Sequence, residues 1–396
     1  MPPVSQSFLK EFEAIFGQAV QAKNAGDLAG TVHHYEQALE LSLGELAQLG
    51  AQAAQTQVAA PVATPGGEYP SCWWIEDHVE LSAADSMHYC CYNYRGEDGT
   101  NKGHVKIADL SGATFPLKAL GADRQRIRQA IREGRETVCL KCPHLTTKAW
   151  PARRYPLRTM TINSWTECNL RCEYCFTLKI EKHHKVAYDL FGIMFDILRR
   201  GLLDPAGMVV WGGGDVSALH DFEAVSRMLS HYGVAQQIKT SGIKYSQATE
   251  AVLRSGRGFV EISLDSGTRE TFQAVKGRDV FDTVVANIRK YAKVGSLALK
   301  YIILEKNHGR ADLEGFLALC RETGVPNVTV TPEWDDLFDH HVSDETLRQA
   351  AWLIHALKQQ GIKVNPGTES ETRELFHSAA DRVLSELESL GRDSGR

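Results

Sequence analysis

The stretch Arg158-Thr159-Met160-Thr161-Ile162-Asn163-Ser164-Trp165-Thr166-Glu167-Cys168-Asn169-Leu170-Arg171-Cys172-Glu173-Tyr174-Cys175 decides the fold. A short apolar run, Thr159–Ile162, reads as a strand, and the loop after it carries cysteines spaced C-x3-C-x2-C. Five further runs follow, at Met208–Trp211, Gln237–Thr240, Phe259–Leu264, Ala298–Leu304 and Asn327–Thr331. Between them lie helical stripes such as Leu190, Ile193, Met194 and Ile197, or Phe281, Val284, Val285, Ile288 and Tyr291. Regular alternation of strand and helix predicts an α/β protein with a parallel βα array. Such arrays place their chemistry at the C-terminal ends of the strands, where the three-cysteine loop falls.

The rest of the chain is read outward from this array. At 396 residues it has room for two or three domains of about 150 residues. Hydrophobic residues at 43% and charged residues at 23% are ordinary for a globular protein. A net charge of −5 gives no basic field for nucleic acid or an anionic membrane. No apolar run is long enough to span a bilayer. Met1-Pro2-Pro3-Val4-Ser5-Gln6 lacks a charged-then-apolar export signal, so a cytoplasmic chain is expected. Residues 1–50 predict a helical hairpin, with Phe8, Phe12, Ile15, Phe16 and Ala19 on the first stripe and Leu28, Val32, Tyr35 and Leu39 on the second. The hairpin resembles one tetratricopeptide unit, which cannot bury its face alone and is expected to pack on the rest of the protein or a dimer mate. Residues 51–70, rich in Ala, Gln, Pro and Gly, read as a linker. Residues 71–150 read as a cysteine-rich α+β module, with strands around Trp73–Leu81, Met87–Tyr92 and Val105–Ile107 and a helix ending at Gly134. The array occupies 151–335. Residues 336–396 add a helix near 343–359, a strand at Ile362–Val364 and a tail helix from about Glu371 to Leu390.

The nine cysteines break an otherwise plain picture. An odd count without an export signal disfavours a disulfide framework, and eight of them fall between Cys72 and Cys175. Three thiolates on one short loop cannot close a tetrahedral zinc site without a fourth ligand. They can hold three irons of a [4Fe–4S] cube and leave the fourth open to a ligand.

The loop, with Tyr174 directly before its last cysteine, resembles the signature of the radical S-adenosylmethionine (radical SAM) superfamily. The resemblance runs from 158 to about 332. It includes Trp211-Gly212-Gly213-Gly214-Asp215, Lys239-Thr240-Ser241-Gly242, Glu261-Ile262-Ser263-Leu264-Asp265-Ser266 and Phe281-Asp282-Thr283-Val284. It implies a partial (βα)6 barrel of the TIM type. It also implies a [4Fe–4S] cluster on Cys168, Cys172 and Cys175 that binds S-adenosylmethionine. One electron from a donor such as flavodoxin or ferredoxin would cleave that cofactor to methionine and a 5′-deoxyadenosyl radical, which abstracts a substrate hydrogen. Gly212, Gly213 and Gly214 would let the backbone approach the methionine amino group. Ser263 and Asp265, alternating on one strand, would face the ribose together. Tyr174 would lie near the adenine through its backbone. Asp215 is either a cofactor ligand or a helix cap, and Lys300 either reaches the cofactor carboxylate or faces solvent.

Cys72, Cys90, Cys91, Cys139 and Cys142 form a second constellation around the pair Cys139-Leu140-Lys141-Cys142. It resembles the SPASM and twitch auxiliary-cluster modules of radical SAM enzymes, displaced to the N-terminal side of the barrel. A second iron–sulfur cluster is expected there, with zinc as the alternative. Cys90 and Cys91 point to opposite faces of a strand, so one of them completes the set. Cys320 shares a stripe with Leu313, Phe316 and Leu317 and reads as a core thiol. His183 and His184 read as a solvated turn. Glu333, Trp334, Asp335 and Asp336 stand at the active face, and Asp339, His340 and His341 offer metal-type side chains that the cysteine sites do not require. The expected substrate is a peptide or protein side chain. The alternatives are a sugar or other small metabolite and, in another class, a zinc-stabilised interaction protein without catalysis.

Overall fold

The computed structural model describes residues 6–27, 66–89, 106–135, 144–165, 167–175, 188–333 and 342–393, with single positions at 30, 33, 34, 37, 38, 40, 41, 137, 139 and 142. Strands β1 (Gly67–Ser71), β2 (His78–Ser82), β3 (Ser86–His88), β4 (Lys106–Asp109) and β5 (Thr146–Trp150) come first. The array follows as β6 (Leu157–Asn163), β7 (Leu203–Trp211), β8 (Ala235–Thr240), β9 (Gly258–Ser263), β10 (Leu297–Ile303), β11 (Asn327–Pro332) and β12 (Lys363–Asn365). Helices Leu190–Arg199, Phe222–His231, Gln247–Ser255, Phe281–Ala292, Arg310–Thr323 and Asp344–Gln359 separate these strands, and a shorter one, Arg269–Lys276, follows β9.

One ten-stranded sheet runs β12-β11-β10-β9-β8-β7-β6-β2-β3-β4. From β6 to β12 every strand pairs in parallel with its neighbour in the chain. A doubly wound sheet reverses its strand order at a switch point; the run from β6 to β12 does not. Right-handed crossovers then carry the helices to one face and leave the other to line a lumen. Burial along β10 follows suit. Leu299, Tyr301 and Ile303 are buried, and Tyr301 meets Phe316 of the following helix at 4.8 Å, whereas Lys300 and Ile302 on the opposite face are half-buried. The result is the expected α/β architecture with a partial TIM-type barrel.

The N-terminal elements depart from expectation in three places. The run from Trp73 to Leu81 is not one strand: Trp73–Asp77 is a helix, and only His78–Ser82 is extended. Trp73 and Trp74 lie 3.9 Å apart and both meet His78, whereas an extended chain would send neighbouring rings to opposite faces. Residues 67–70, expected in the linker, belong to β1, which pairs antiparallel with β5. Tyr69 stacks on Trp150 at 6.4 Å, and the indole nitrogen donates to the Tyr69 carbonyl at 3.0 Å. Local composition carries no signal for a partner so far along the chain. Finally, β2 pairs in parallel with β6, so a boundary at 151 crosses a continuous sheet.

At the N-terminus the helix Gln6–Asn24 rests on the barrel through Phe12, whose ring stacks on Phe195 at 4.9 Å. The described positions from 30 to 41 are helical; the rest of the hairpin and linker positions 51–65 lie outside the described residues. The tail expected as one helix is Glu369–Phe376, a 3-10 turn at His377–Ala379 and Ala380–Asp393. Among the described residues no helix is long and apolar enough to cross a membrane.

Glu76 ties the β1–β5 ribbon to the helix Leu117–Arg132. Its buried carboxylate pairs with Arg128 and Arg153 and accepts from Ser71 at 2.6 Å. Burial opposes its ionisation, but Arg128 and Ser71 outweigh burial, and the acid is held below the usual range. A depressed folded-state value gives stability that is present above the unfolded value and lost as pH falls through the folded one. Glu76→Gln should therefore cost about 3 kcal/mol near pH 7, because it takes from the half-buried Arg128 its carboxylate partner, whereas Arg153 keeps Asp77. The gap in melting temperature between the two chains should close as pH falls below about 4. A gap constant between pH 7 and pH 3 would refute this assignment.

Candidate active site

The three-cysteine loop lies where the array places chemistry, beyond the C-terminal end of β6. Its backbone is fastened to the last turn of the helix Arg269–Lys276. Arg171 N donates to the Lys276 carbonyl at 3.0 Å, and Glu173 N to the Val275 carbonyl at 3.1 Å. Arg278 reaches the Asn169 carbonyl at 2.8 Å. Thr268 caps that helix by accepting from Thr271 N, and Gly277 stops it, so the anchoring carbonyls are the free ones of its last turn.

The thiols of Cys168, Cys172 and Cys175 are electrostatic neighbours, Cys168 of both others. Burial pushes the Cys172 thiol up to about 11 and also raises Cys168, which has Asp215 and Cys175 beside it. These thiols stay protonated until a metal replaces the proton. Among the described residues no three Cys, His, Asp or Glu side chains converge as they would around a single metal ion. A cube takes one thiolate per iron, so three neighbouring cysteines on one loop, with no fourth among them, suit a cluster with one open iron.

The glycine turn after β7 packs against this loop. Gly212 N donates to the Ile162 carbonyl, Gly214 N to that of Trp165 and Asp215 N to that of Glu167. Gly213 has φ 90°, and a Cβ there would stand 2.9 Å from Asn163 Oδ1 and closer still to the Trp165 carbonyl. Its lack of a side chain serves the contact with the chain's own backbone. Asp215 is buried and behaves as a cap and clamp. One oxygen accepts from Ser217 N at 2.9 Å; the other accepts from Thr240 Oγ1 at 3.0 Å and Ser241 N at 2.5 Å. It joins the end of β7 to the end of β8.

Ser263 and Asp265 do not share a strand face. β9 ends at Ser263, and Asp265 turns away with φ 54°. Both Leu264 N and Asp265 N donate to the Lys300 carbonyl, so the ladder is already broken there. The Asp265 carboxylate is 0% exposed and forms an ion pair with Lys276, itself 1% exposed. It also accepts from Tyr174 Oη at 2.5 Å and Ile302 N at 2.6 Å. Lys276 Nζ donates to Tyr174 Oη at 2.7 Å. Burial would lower Lys276, but Asp265 outweighs it and the ammonium is held above its usual range. Tyr174 is raised by burial and by Asp265, so it remains a phenol. The Tyr174 hydroxyl thus belongs to this buried ion pair, a contact the sequence reading did not foresee. Nothing in the sequence singled out Lys276, since a lysine ending a helix normally reads as a charge on the helix dipole.

Lys300 is half-buried on the lumen face of β10. Burial lowers its affinity for a proton, partly offset by Glu261, while Lys239 adds to the lowering. Glu261 accepts from Thr329 Oγ1 at 2.8 Å, over the intervening strand β10.

In the second constellation, Cys72 is buried at the start of its short helix, and burial pushes its thiol up to about 11 with Cys142 nearby. Cys142 N donates to the Cys139 carbonyl at 3.1 Å, closing a turn over the C-x2-C pair. The structure therefore brings Cys142 to Cys72. Cys90 and Cys91 lie outside the described residues, as do His183, His184, Trp334, Asp335, Asp336, Asp339, His340 and His341. Cys320 is buried in the core of its helix, and burial raises its thiol.

Comparison with known proteins converges on this array. The family profile described as Radical SAM superfamily matches residues 162–332. A GTP 3′,8-cyclase of Aliarcobacter butzleri is 24% identical over 163 residues, covering 40% of this chain and 50% of that protein. The mycofactocin maturase MftC of Mycobacterium tuberculosis is 26% identical over 153 residues, covering 36% and 38%. The chain thus spans half or less of the length of these curated relatives. The structure of Streptococcus suis SuiB bound to precursor peptide SuiA superposes with a TM-score of 0.44 at 13% identity, covering 69% of this chain and 62% of that one. The matched residues begin within β6, contain the whole cysteine loop and glycine turn, and end with β11. Residues 162–332 thus form a radical SAM domain.

Proposed function

We propose that this chain is an enzyme that cleaves S-adenosylmethionine reductively and abstracts a hydrogen from a peptide or protein side chain. The observation that carries the reading is the gathering of Cys168, Cys172 and Cys175 on one loop, pinned against Gly212–Gly214 at the C-terminal ends of parallel strands. A [4Fe–4S] cluster bound there supplies the electron that converts S-adenosylmethionine to methionine and a 5′-deoxyadenosyl radical. The chain's own residues shape the site around it. Asp215 fixes the glycine turn, and Tyr174 with Asp265 fixes the back of the loop. Ser263, Lys239 and Lys300 are the polar groups the strands offer to cofactor or substrate, Lys300 being suited to a carboxylate.

Cys72, Cys139 and Cys142, with one of Cys90 and Cys91, are the ligands we assign to a second iron–sulfur cluster; zinc is the alternative for the same thiols. A flavodoxin- or ferredoxin-type protein is the electron donor in this reading. The N-terminal helix and the cysteine-bearing segment ahead of the barrel favour a polypeptide substrate, as does the maturase among the relatives. A small-molecule substrate is the second reading, favoured by the GTP cyclase among them.

Anaerobic reconstitution with iron and sulfide should load about four irons per chain, or about eight with the second cluster. Dithionite and S-adenosylmethionine should then yield 5′-deoxyadenosine and methionine. A colourless protein that binds zinc and leaves S-adenosylmethionine intact would overturn the proposal in favour of a non-catalytic interaction protein.

A further inference from the structure

We infer that Lys276 is a positioning residue whose buried charge sets how readily the cluster on Cys168, Cys172 and Cys175 takes up an electron. The inference rests on the cluster assignment above and concerns a residue that assignment does not use. Lys276 meets the loop twice. Its carbonyl holds Arg171 N, and its ammonium holds Tyr174 Oη at 2.7 Å. Between these two anchors stands Cys172, for which Lys276 is the strongest charged neighbour; Cys168 is also within its field.

The ammonium is buried, and its one carboxylate partner, Asp265, is buried with it. Charges withdrawn from water act on their neighbours through a weakly screening medium. Three thiolates on a [4Fe–4S]2+ core carry a net charge of about −1, and one added electron makes it about −2. A fixed cation beside Cys172 favours the more negative state, whereas Asp265 opposes it. The two residues thus form a balanced pair whose halves act in opposite directions on reduction. Cluster potentials respond to such outer partners as well as to the ligands themselves.

The experiment is a potentiometric titration of the reconstituted full chain with dithionite, followed by electron paramagnetic resonance. The signal followed is the one that Cys172→Ala removes. Lys276→Met should make the cluster at least tenfold harder to reduce, a fall of about 59 mV for one electron. Asp265→Asn should shift the potential upward, and Lys276→Arg should stay near the wild-type value. A role confined to holding the loop would cost iron or move both neutral variants the same way. Unchanged potentials at full iron content, or shifts of one sign, overturn the inference while leaving the cluster assignment intact. A wild-type chain that takes up no cluster overturns both. Should Lys276→Met fail to hold iron, Asp265→Asn decides: a rise supports the inference, and no rise overturns it.

Discussion

A chain carrying Cys172→Ala should lose about four irons and release no 5′-deoxyadenosine above background. The loss should exceed the roughly 10–100-fold that removal of an outer-shell partner costs a metal site. Among the described residues, the nearby candidates to replace the thiolate are otherwise engaged or distant. Asp215, the carboxylate beside Cys168, has both oxygens committed to Ser217, Thr240 and Ser241. Cys320 is buried on the helix side of the barrel. The loop itself should survive, because Arg171 and Glu173 hold it by their backbone amides rather than through the cysteine. Circular dichroism should therefore match wild type while iron analysis and product assay do not. A variant that still cleaved S-adenosylmethionine would remove Cys172 from the ligand set and the reading with it.

The second large effect is one of stability. Gly267→Ala should destabilise the fold by about 3 kcal/mol, at the upper end for overpacking. A Cβ at Gly267 would lie 2.8 Å from the Gly315 carbonyl carbon and closer still to Asp312 O and Phe316 N. Gly315 is the reciprocal contact, its own Cβ position lying 2.6 Å from the Gly267 carbonyl oxygen. Backbone meets backbone from both sides, so no flexible side chain can yield. The helix Arg310–Thr323 cannot retreat either, since the Asp312 carboxylate accepts from Thr268 N at 2.9 Å, Thr268 Oγ1 at 2.9 Å and Tyr301 Oη at 2.5 Å. Urea unfolding should show a lower midpoint with an unchanged slope. A shift worth less than about 1 kcal/mol would mean that the approach is not as tight as the geometry states.

The array was legible because each strand is a short apolar run and each helix a stripe, both local signals. The three-cysteine loop and the glycine turn were legible because their residue types are unusual at fixed spacing. What the sequence hid was non-local. Lys276 meets Asp265 and Tyr174 only once the strands are in register, and a lysine at a helix end carries no signal of its own. Strand parity placed Asp265 beside Ser263, but the strand stops between them where both amides turn to the Lys300 carbonyl. β1 and β5 were missed because a two-stranded ribbon with exposed edges has little apolar pattern. Gly267 carried a weak signal, a glycine just past a strand end, that only the position of the neighbouring helix explains.

The pairing of β2 with β6 bears on electron movement. Cys72 stands one short helix ahead of β2, and β6 leads directly into the cysteine loop. The two thiol groups are thus spaced by a hydrogen-bonded ladder rather than by a tether. If the second cluster proposed above is held at Cys72, this ladder would set its distance to the barrel site, and the rate of transfer between them would then be governed by driving force rather than by the motion of a tether.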